Sequence, residues 1–297
     1  MLSRRTVLLG GTATAAALVV GSGIGVEQGA LPGRPWAQAH LGLNGAAGAT
    51  PDVEPSVVVS GSFRSAHRLG ARTGWTLIRP RGVEGRLPLV VALHGLGEDH
   101  ESLVSPTFAL DRFLTAAVED GVPPFAIVAA DGGTSYWHPR PDGEDAGAMV
   151  VDELLPLMRH HHVDTDRIGL LGWSMGGYGA LRLAGLLGAD RVVAVVAASP
   201  AIWQDPDSAS SSGFADAAEY ERYTVVGHQD DLAGIAVRID CGTGDPFYRD
   251  VQAYVASFPD EADVISTFHP GAHDRAYWRR MLPDELAFLG AAVGSTA

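Results

Sequence analysis

The chain has 297 residues, 46% hydrophobic and 19% charged, which suits one sizeable domain with a real core and excludes a disordered, collagen-like or many-pass membrane chain. Acidic residues outnumber basic ones 35 to 21, giving a formal net charge of −14 that repels phosphate backbones and argues against a nucleic-acid partner. All basic residues are Arg and the only Cys is Cys241, so lysine Schiff-base chemistry, a P-loop lysine, an intramolecular disulfide and a multi-Cys metal site are excluded.

The chain opens with Arg4-Arg5, an uncharged apolar run from Thr6 to Val26, and then Ala37-Gln38-Ala39. This layout predicts an export signal over residues 1–39. Ser3-Arg4-Arg5-Thr6-Val7-Leu8 resembles the twin-arginine type, which exports proteins already folded, so a secreted or cell-envelope location is expected. The apolar run is also long enough to span a bilayer, and an uncleaved anchor is the alternative and the one membrane contact foreseen. Residues 40–55 are rich in Gly, Ala and Pro without periodicity and predict a flexible linker. No repeat or composition break follows, so one domain is expected over 56–297.

Ser56–Ser60 and Trp75–Arg79 predict an opening antiparallel strand pair. Six apolar runs of strand length follow: Leu87–Leu93, Phe125–Ala130, Ile168–Gly172, Val192–Ala198, Ile235–Asp240 and Val264–Phe268. Runs without polar alternation suit strands buried on both faces of a parallel sheet. Helical patterns lie between them at Leu110–Glu119, Ala148–His161, Gly177–Leu187, Val251–Phe258 and Ala276–Leu289. The alternation predicts an α/β fold, a mostly parallel central sheet flanked by helices, with its site at the carboxyl ends of the strands.

Gly172-Trp173-Ser174-Met175-Gly176 sits between the strand at 168–172 and the helix at 177–187. A tight strand-to-helix turn pushes a serine into an exposed, strained position, and the two glycines leave room where side chains would clash. Ser174 is therefore the candidate nucleophile. A tetrahedral intermediate needs two backbone N–H donors. One is expected from Met175. The other is expected from the turn His94-Gly95-Leu96-Gly97 after the first parallel strand, from Leu96 with Gly95 as its neighbour. His94 is read as a structural residue that ties this turn to neighbouring backbone, with catalytic base as the alternative.

A serine hydroxyl needs a base, and the base needs an orienting carboxylate. Asp245 lies in the loop past the strand at 235–240; Asp240 is the competing acid within that strand. His273 lies in the Gly-containing loop before the last helix; His269, followed by Pro270, is the competing base. Tyr136, Trp137 and His138, in the loop after 125–130, are candidates for the wall of a substrate pocket, with packing of the loop as the equal alternative for Trp137; Trp173, beside the candidate nucleophile, is a further candidate. No metal site is predicted. Adjacent histidines His160-His161-His162 cannot converge on one ion while helical. Asp142, Glu144 and Asp145 lack the spacing of a calcium loop.

The segments Leu93–Gly97, Gly172–Leu181 and Gly271–Trp278 resemble the putative esterase, or esterase D, branch of the α/β-hydrolases, which includes S-formylglutathione hydrolases and secreted mycolyltransferases. The resemblance implies an α/β-hydrolase fold and a triad of Ser174, Asp245 and His273, with Leu96 and Met175 as oxyanion donors. It further implies hydrolysis of a small-molecule or glycan ester through an acyl-enzyme, without a cofactor. Where the mycolyltransferases use a Glu acid, this chain offers Asp245. Acyl transfer to a sugar or other alcohol is the alternative activity. A catalytically inactive cell-wall binding module is the alternative from another class.

Overall fold

A computed structural model of the chain describes residues 33–295. The predicted signal elements Arg4, Arg5 and Thr6–Val26 lie outside these residues. Among the described residues no helix is long and apolar enough to cross a membrane.

Eight strands form one sheet in the order β1-β2-β4-β3-β5-β6-β7-β8. They are β1 (Val57–Arg64), β2 (Arg72–Arg79), β3 (Leu87–Leu93), β4 (Ala126–Ala130), β5 (Val163–Trp173), β6 (Val192–Ala198), β7 (Ala236–Gly242) and β8 (Val264–His269). β1 pairs antiparallel with β2, and β2 antiparallel with β4; every other pairing is parallel. The expected antiparallel pair is therefore the sheet's opening edge, and the six apolar runs are its parallel body. Alternation of side chains sends β3 to both faces. Leu89, Val91 and Leu93 enter one core, and Val90 and Ala92 enter the other.

Among the described residues the α-helices are α1 (Arg34–His40), α2 (Leu110–Glu119), α3 (Ala146–Met149), α4 (Leu155–Met158), α5 (Met175–Leu187), α6 (Ala217–Tyr223), α7 (Tyr248–Ala256) and α8 (Arg275–Gly294). α2 and α8 cover one face. α3, α4, α5, α6 and α7 cover the other. The helix expected over 148–161 starts earlier, because the Asp145 carboxylate accepts the Ala148 N–H and caps it, and a π-helical turn, Val150–Leu154, separates α3 from α4. α8 likewise begins at a side-chain cap, from Asp274 to the Tyr277 N–H. α6 was not foreseen. It has only seven residues, capped by Asp216, and buries Glu219 and Tyr220, too short a stripe to carry a helical period.

Residues 40–55, the expected linker, run against the domain in the structure. Small residues let this segment lie flush on α8: a Cβ on Gly48 would sit 2.2 Å from the Arg280 backbone nitrogen. The Gly48 N–H donates to the Ala276 carbonyl at 2.9 Å, and the Arg280 guanidinium donates to the Ala46 carbonyl at 2.8 Å. Further along, the Arg81 guanidinium donates to the Pro55 carbonyl at 2.6 Å. The segment is a strap whose carbonyls are taken up by arginines of the domain. Ala37-Gln38-Ala39 lies within α1, where Gln38 is buried and accepts the Thr243 hydroxyl at 3.3 Å.

Candidate active site

The centre of the site is the turn from β5 into α5. Ser174 has φ 56° and ψ −123°, a left-handed backbone that an L side chain resists. The surroundings impose it. A Cβ on Gly172 would lie 2.1 Å from the Gly176 carbonyl oxygen, and one on Gly176 would lie 1.9 Å from the Leu93 carbonyl oxygen, so no other residue allows this approach. The Ser174 N–H donates to the Ala198 carbonyl at 3.0 Å, and the Ser174 carbonyl accepts the Ala201 N–H at 2.9 Å. Together these hold the hydroxyl at the carboxyl end of the sheet.

His273, in the loop between β8 and α8, reaches this hydroxyl: Nε2 lies 2.8 Å from Ser174 Oγ. Its Nδ1 lies 2.8 Å from Asp245 Oδ2. A carboxylate at Nδ1 keeps the ring proton there, which leaves Nε2 to accept the serine proton. Asp245 is buried, and its other oxygen accepts the Phe247 N–H at 2.8 Å. The two loops are tied together where the Gly244 N–H donates to the Gly271 carbonyl at 2.8 Å.

The competing residues are engaged elsewhere. Asp240 accepts the Arg238 guanidinium at 2.7 Å and 3.3 Å, as well as the Thr267 hydroxyl. His269 is an exposed residue at the end of β8, and its carbonyl accepts the Thr243 N–H. His94 is fully buried. Its Nδ1 donates to the Gly95 carbonyl at 2.8 Å and its Nε2 accepts the Gly132 N–H at 2.8 Å, tying the turn after β3 to the turn after β4. In the turn after β3, the Gly95 N–H donates to Glu98 Oε2 at 3.1 Å, whereas Leu96 is exposed. Met175 is the first residue of α5, so its N–H has no carbonyl one turn earlier within the helix.

Trp137, His138 and Trp173, the candidates for a pocket wall, turn into the interior, and all three are buried. The Trp137 ring fills the space left by Gly132 and Gly179, where added Cβ atoms would fall 2.4 Å and 2.5 Å from it, and its indole N–H reaches the His94 carbonyl at 3.3 Å. His138 lies between the Pro139 and Gly213 carbonyls and stacks on Phe214 and Tyr223. Trp173 packs on Phe108 at 4.5 Å and donates to Glu98 at 2.5 Å. Other aromatic rings stand beside His273. Half-buried Phe247 lies 5.2 Å from the His273 ring, and half-buried Trp203 lies 5.3 Å from Phe247. Sequence reasoning missed both. Phe247 stands only two residues after Asp245, which was the available signal; Trp203 lies in an irregular loop that offered none.

Cys241 is buried, and burial pushes its thiol well above the ordinary range, so it is no nucleophile. Glu144 of the acidic run pairs with Arg68 at 2.8 Å, and His161 packs against the Trp75 ring. Among the described residues no group of three or more His, Cys, Asp or Glu side chains is placed to hold a metal ion.

Burial also holds the His94 and His138 imidazoles below their ordinary value of 6.5. Between 6.5 and those lowered values the unfolded chain binds more protons than the folded one. The stability gained from keeping both rings neutral is therefore complete above about pH 6.5 and is lost as pH falls through the lowered values. Thermal unfolding should be insensitive to pH from 8 to 7 and fall steadily from about 6.5 downward. His138→Gln should flatten part of that slope; an unchanged slope would remove His138 as a source.

No curated protein matches the chain. Several solved structures share its fold at low identity. A fluorophosphonate-binding serine hydrolase of Staphylococcus aureus is 18% identical, with 80% of this chain and 99% of that one covered and a TM-score of 0.65. An S-formylglutathione hydrolase of Agrobacterium tumefaciens is 19% identical, with 84% and 100% covered and a TM-score of 0.64. A ferulic acid esterase of Anaeromyces mucronatus, solved with ferulic acid, is 21% identical, with 84% and 95% covered and a TM-score of 0.65. Residues 66–289 match the family described as "Putative esterase", which is three quarters of the sequence. The strand order, the serine at its strained turn and this match lead to one assignment: the chain belongs to the putative esterase family and has the α/β-hydrolase fold.

Proposed function

We propose that the chain is a serine esterase that works through an acyl-enzyme, with Ser174, His273 and Asp245 as its triad. One observation carries the reading: a single imidazole lies 2.8 Å from the hydroxyl of Ser174 and 2.8 Å from a buried carboxylate. His273 Nε2 takes the hydroxyl proton as Ser174 Oγ bonds to the ester carbonyl carbon. The carbonyl oxygen becomes an oxyanion, held by the N–H groups of Leu96 and Met175. Collapse breaks the bond to the alcohol oxygen, which leaves with the proton from His273. Water then repeats the two steps on the acyl-enzyme and releases the acid. No step calls for a cofactor.

The rings of Phe247 and Trp203 offer flat apolar surface beside His273, and a structural neighbour holds ferulic acid. Both favour a small ester with an aromatic acyl group as substrate. Export by the Arg4-Arg5 signal would bring such an enzyme to glycan esters outside the cell.

The test is covalent labelling by a fluorophosphonate, followed by turnover of p-nitrophenyl esters. Stoichiometric labelling is expected, with faster turnover of an aryl-propenoyl ester than of an alkyl ester of equal length. Absence of labelling would support the inactive binding module instead. An added alcohol that captures most of the acyl group would make the chain an acyltransferase with the same triad.

A further inference from the structure

Glu98 is the residue to which the separate parts of the site converge. It lies two residues beyond Leu96 in the turn after β3. Its Oε2 accepts the Gly95 N–H at 3.1 Å and the Trp173 indole N–H at 2.5 Å. Its Oε1 accepts the Arg275 guanidinium twice, from Nε at 3.1 Å and from Nη2 at 2.5 Å. The Glu98 N–H also donates back to the Gly95 carbonyl at 3.2 Å, which closes the turn. Gly97, within it, has φ 78°, a backbone that suits glycine.

These bonds reach three segments far apart in sequence. Gly95 precedes the expected donor Leu96, Trp173 precedes the nucleophile, and Arg275 follows the base by two residues. We infer that the Glu98–Arg275 pair is a positioning clamp, which sets the turn after β3 against the serine turn and the histidine loop so that the Leu96 N–H meets the substrate oxygen. The inference rests on the serine esterase reading given above.

Two physical arguments support it. The first concerns the donor. With its N–H bound to Glu98, Gly95 cannot serve the oxyanion. The Leu96 N–H shares its peptide plane with the Gly95 carbonyl, which the Glu98 N–H holds at 3.2 Å and His94 Nδ1 at 2.8 Å. Donor placement within about 0.5 Å matters for a preorganised site. The second concerns charge. A bare carboxylate close to a developing oxyanion would raise the barrier, because the repulsion is strong where water is excluded. Two guanidinium N–H groups of Arg275 converge on Oε1 and supply the opposite charge there. Charge-assisted bonds on all four sides of Glu98 therefore permit an acid at a place where an unpaired one would oppose the reaction.

The test is steady-state kinetics of Glu98→Gln, Arg275→Gln and the double variant, on protein whose folding is checked by thermal unfolding. Glu98→Gln should lower kcat by about 10- to 100-fold with KM within about twofold, because a displaced donor acts on the transition state. Arg275→Gln leaves the carboxylate unpaired and should fall further. The double variant should recover to about the level of Glu98→Gln. If Glu98→Gln does not fold, Arg275→Lys, which keeps the charge and loses the paired N–H contact, should give a kcat between wild type and Arg275→Gln.

A kcat within twofold of wild type in Glu98→Gln overturns the clamp. So does a loss carried by KM alone, or a double variant no better than Arg275→Gln. Fluorophosphonate labelling of the wild-type protein separates the two ideas. Without labelling the esterase reading fails; with labelling and unaffected variants, only the clamp fails.

Discussion

Ser174→Ala should lower kcat by about 10⁴- to 10⁶-fold and abolish fluorophosphonate labelling, leaving only what the oxyanion donors and binding supply. The fold should survive, because Ala fits the same space and the backbone bonds of residue 174 to Ala198 and Ala201 do not involve the side chain. Ser174→Gly should be as inactive and more stable than wild type. The turn holds residue 174 at φ 56°, which costs an L residue on the order of 1–3 kcal/mol and glycine far less. Loss of activity with a rise in unfolding midpoint would mark the strain as a requirement of the nucleophile's position. Near wild-type turnover in Ser174→Ala would place the reaction elsewhere.

The second large effect concerns the base and its acid. His273→Ala should cost about as much as Ser174→Ala, since the serine proton then has no acceptor. Asp245→Asn should cost about 10⁴-fold in kcat, because an amide at Nδ1 no longer selects the tautomer that leaves Nε2 free. The controls are the competing residues. His269→Ala should keep kcat within about twofold, as His269 is exposed at the end of β8. Asp240→Asn should act on stability, because it breaks a buried pair with Arg238. Kinetics and thermal unfolding of the four variants check this directly. An inactive His269→Ala beside an active His273→Ala would transfer the role of base to His269.

The features legible from sequence are those that local chemistry settles. Continuous apolar runs such as Val192–Ala198 had to be buried on both faces, which pointed to a mostly parallel sheet and made its carboxyl edge the place to look for a site. Gly172 and Gly176 flank Ser174 at a spacing that lets a strand turn into a helix without collision, so the strained turn that makes Ser174 the candidate nucleophile was legible as well. The helical pattern from Ala276 left His273 in a short Gly-containing loop before the last helix, which the structure starts at Arg275 with Asp274 as its cap.

What remained undecided depended on where a side chain points after the chain has returned from a distant element. Asp240 and Asp245 are five residues apart. Strand alternation turns Asp240 toward Arg238, which also approaches Asp284 of α8, whereas the loop after β7 brings Asp245 to His273. Trp137, His138 and Trp173 have the composition of a pocket, but the gaps at Gly132 and Gly179 take in Trp137, the Pro139 and Gly213 carbonyls hold His138, and Glu98 and Phe108 hold Trp173. The Gly- and Ala-rich stretch 40–55 has the composition of a linker, yet small residues also permit close packing, and the arginines that hold it lie elsewhere in the chain. Glu98 and Arg275 are 177 positions apart. Sequence alone determined each local turn and its residues; tertiary structure decided which turns face one another, because only the packed sheet brings their side chains within hydrogen-bonding distance.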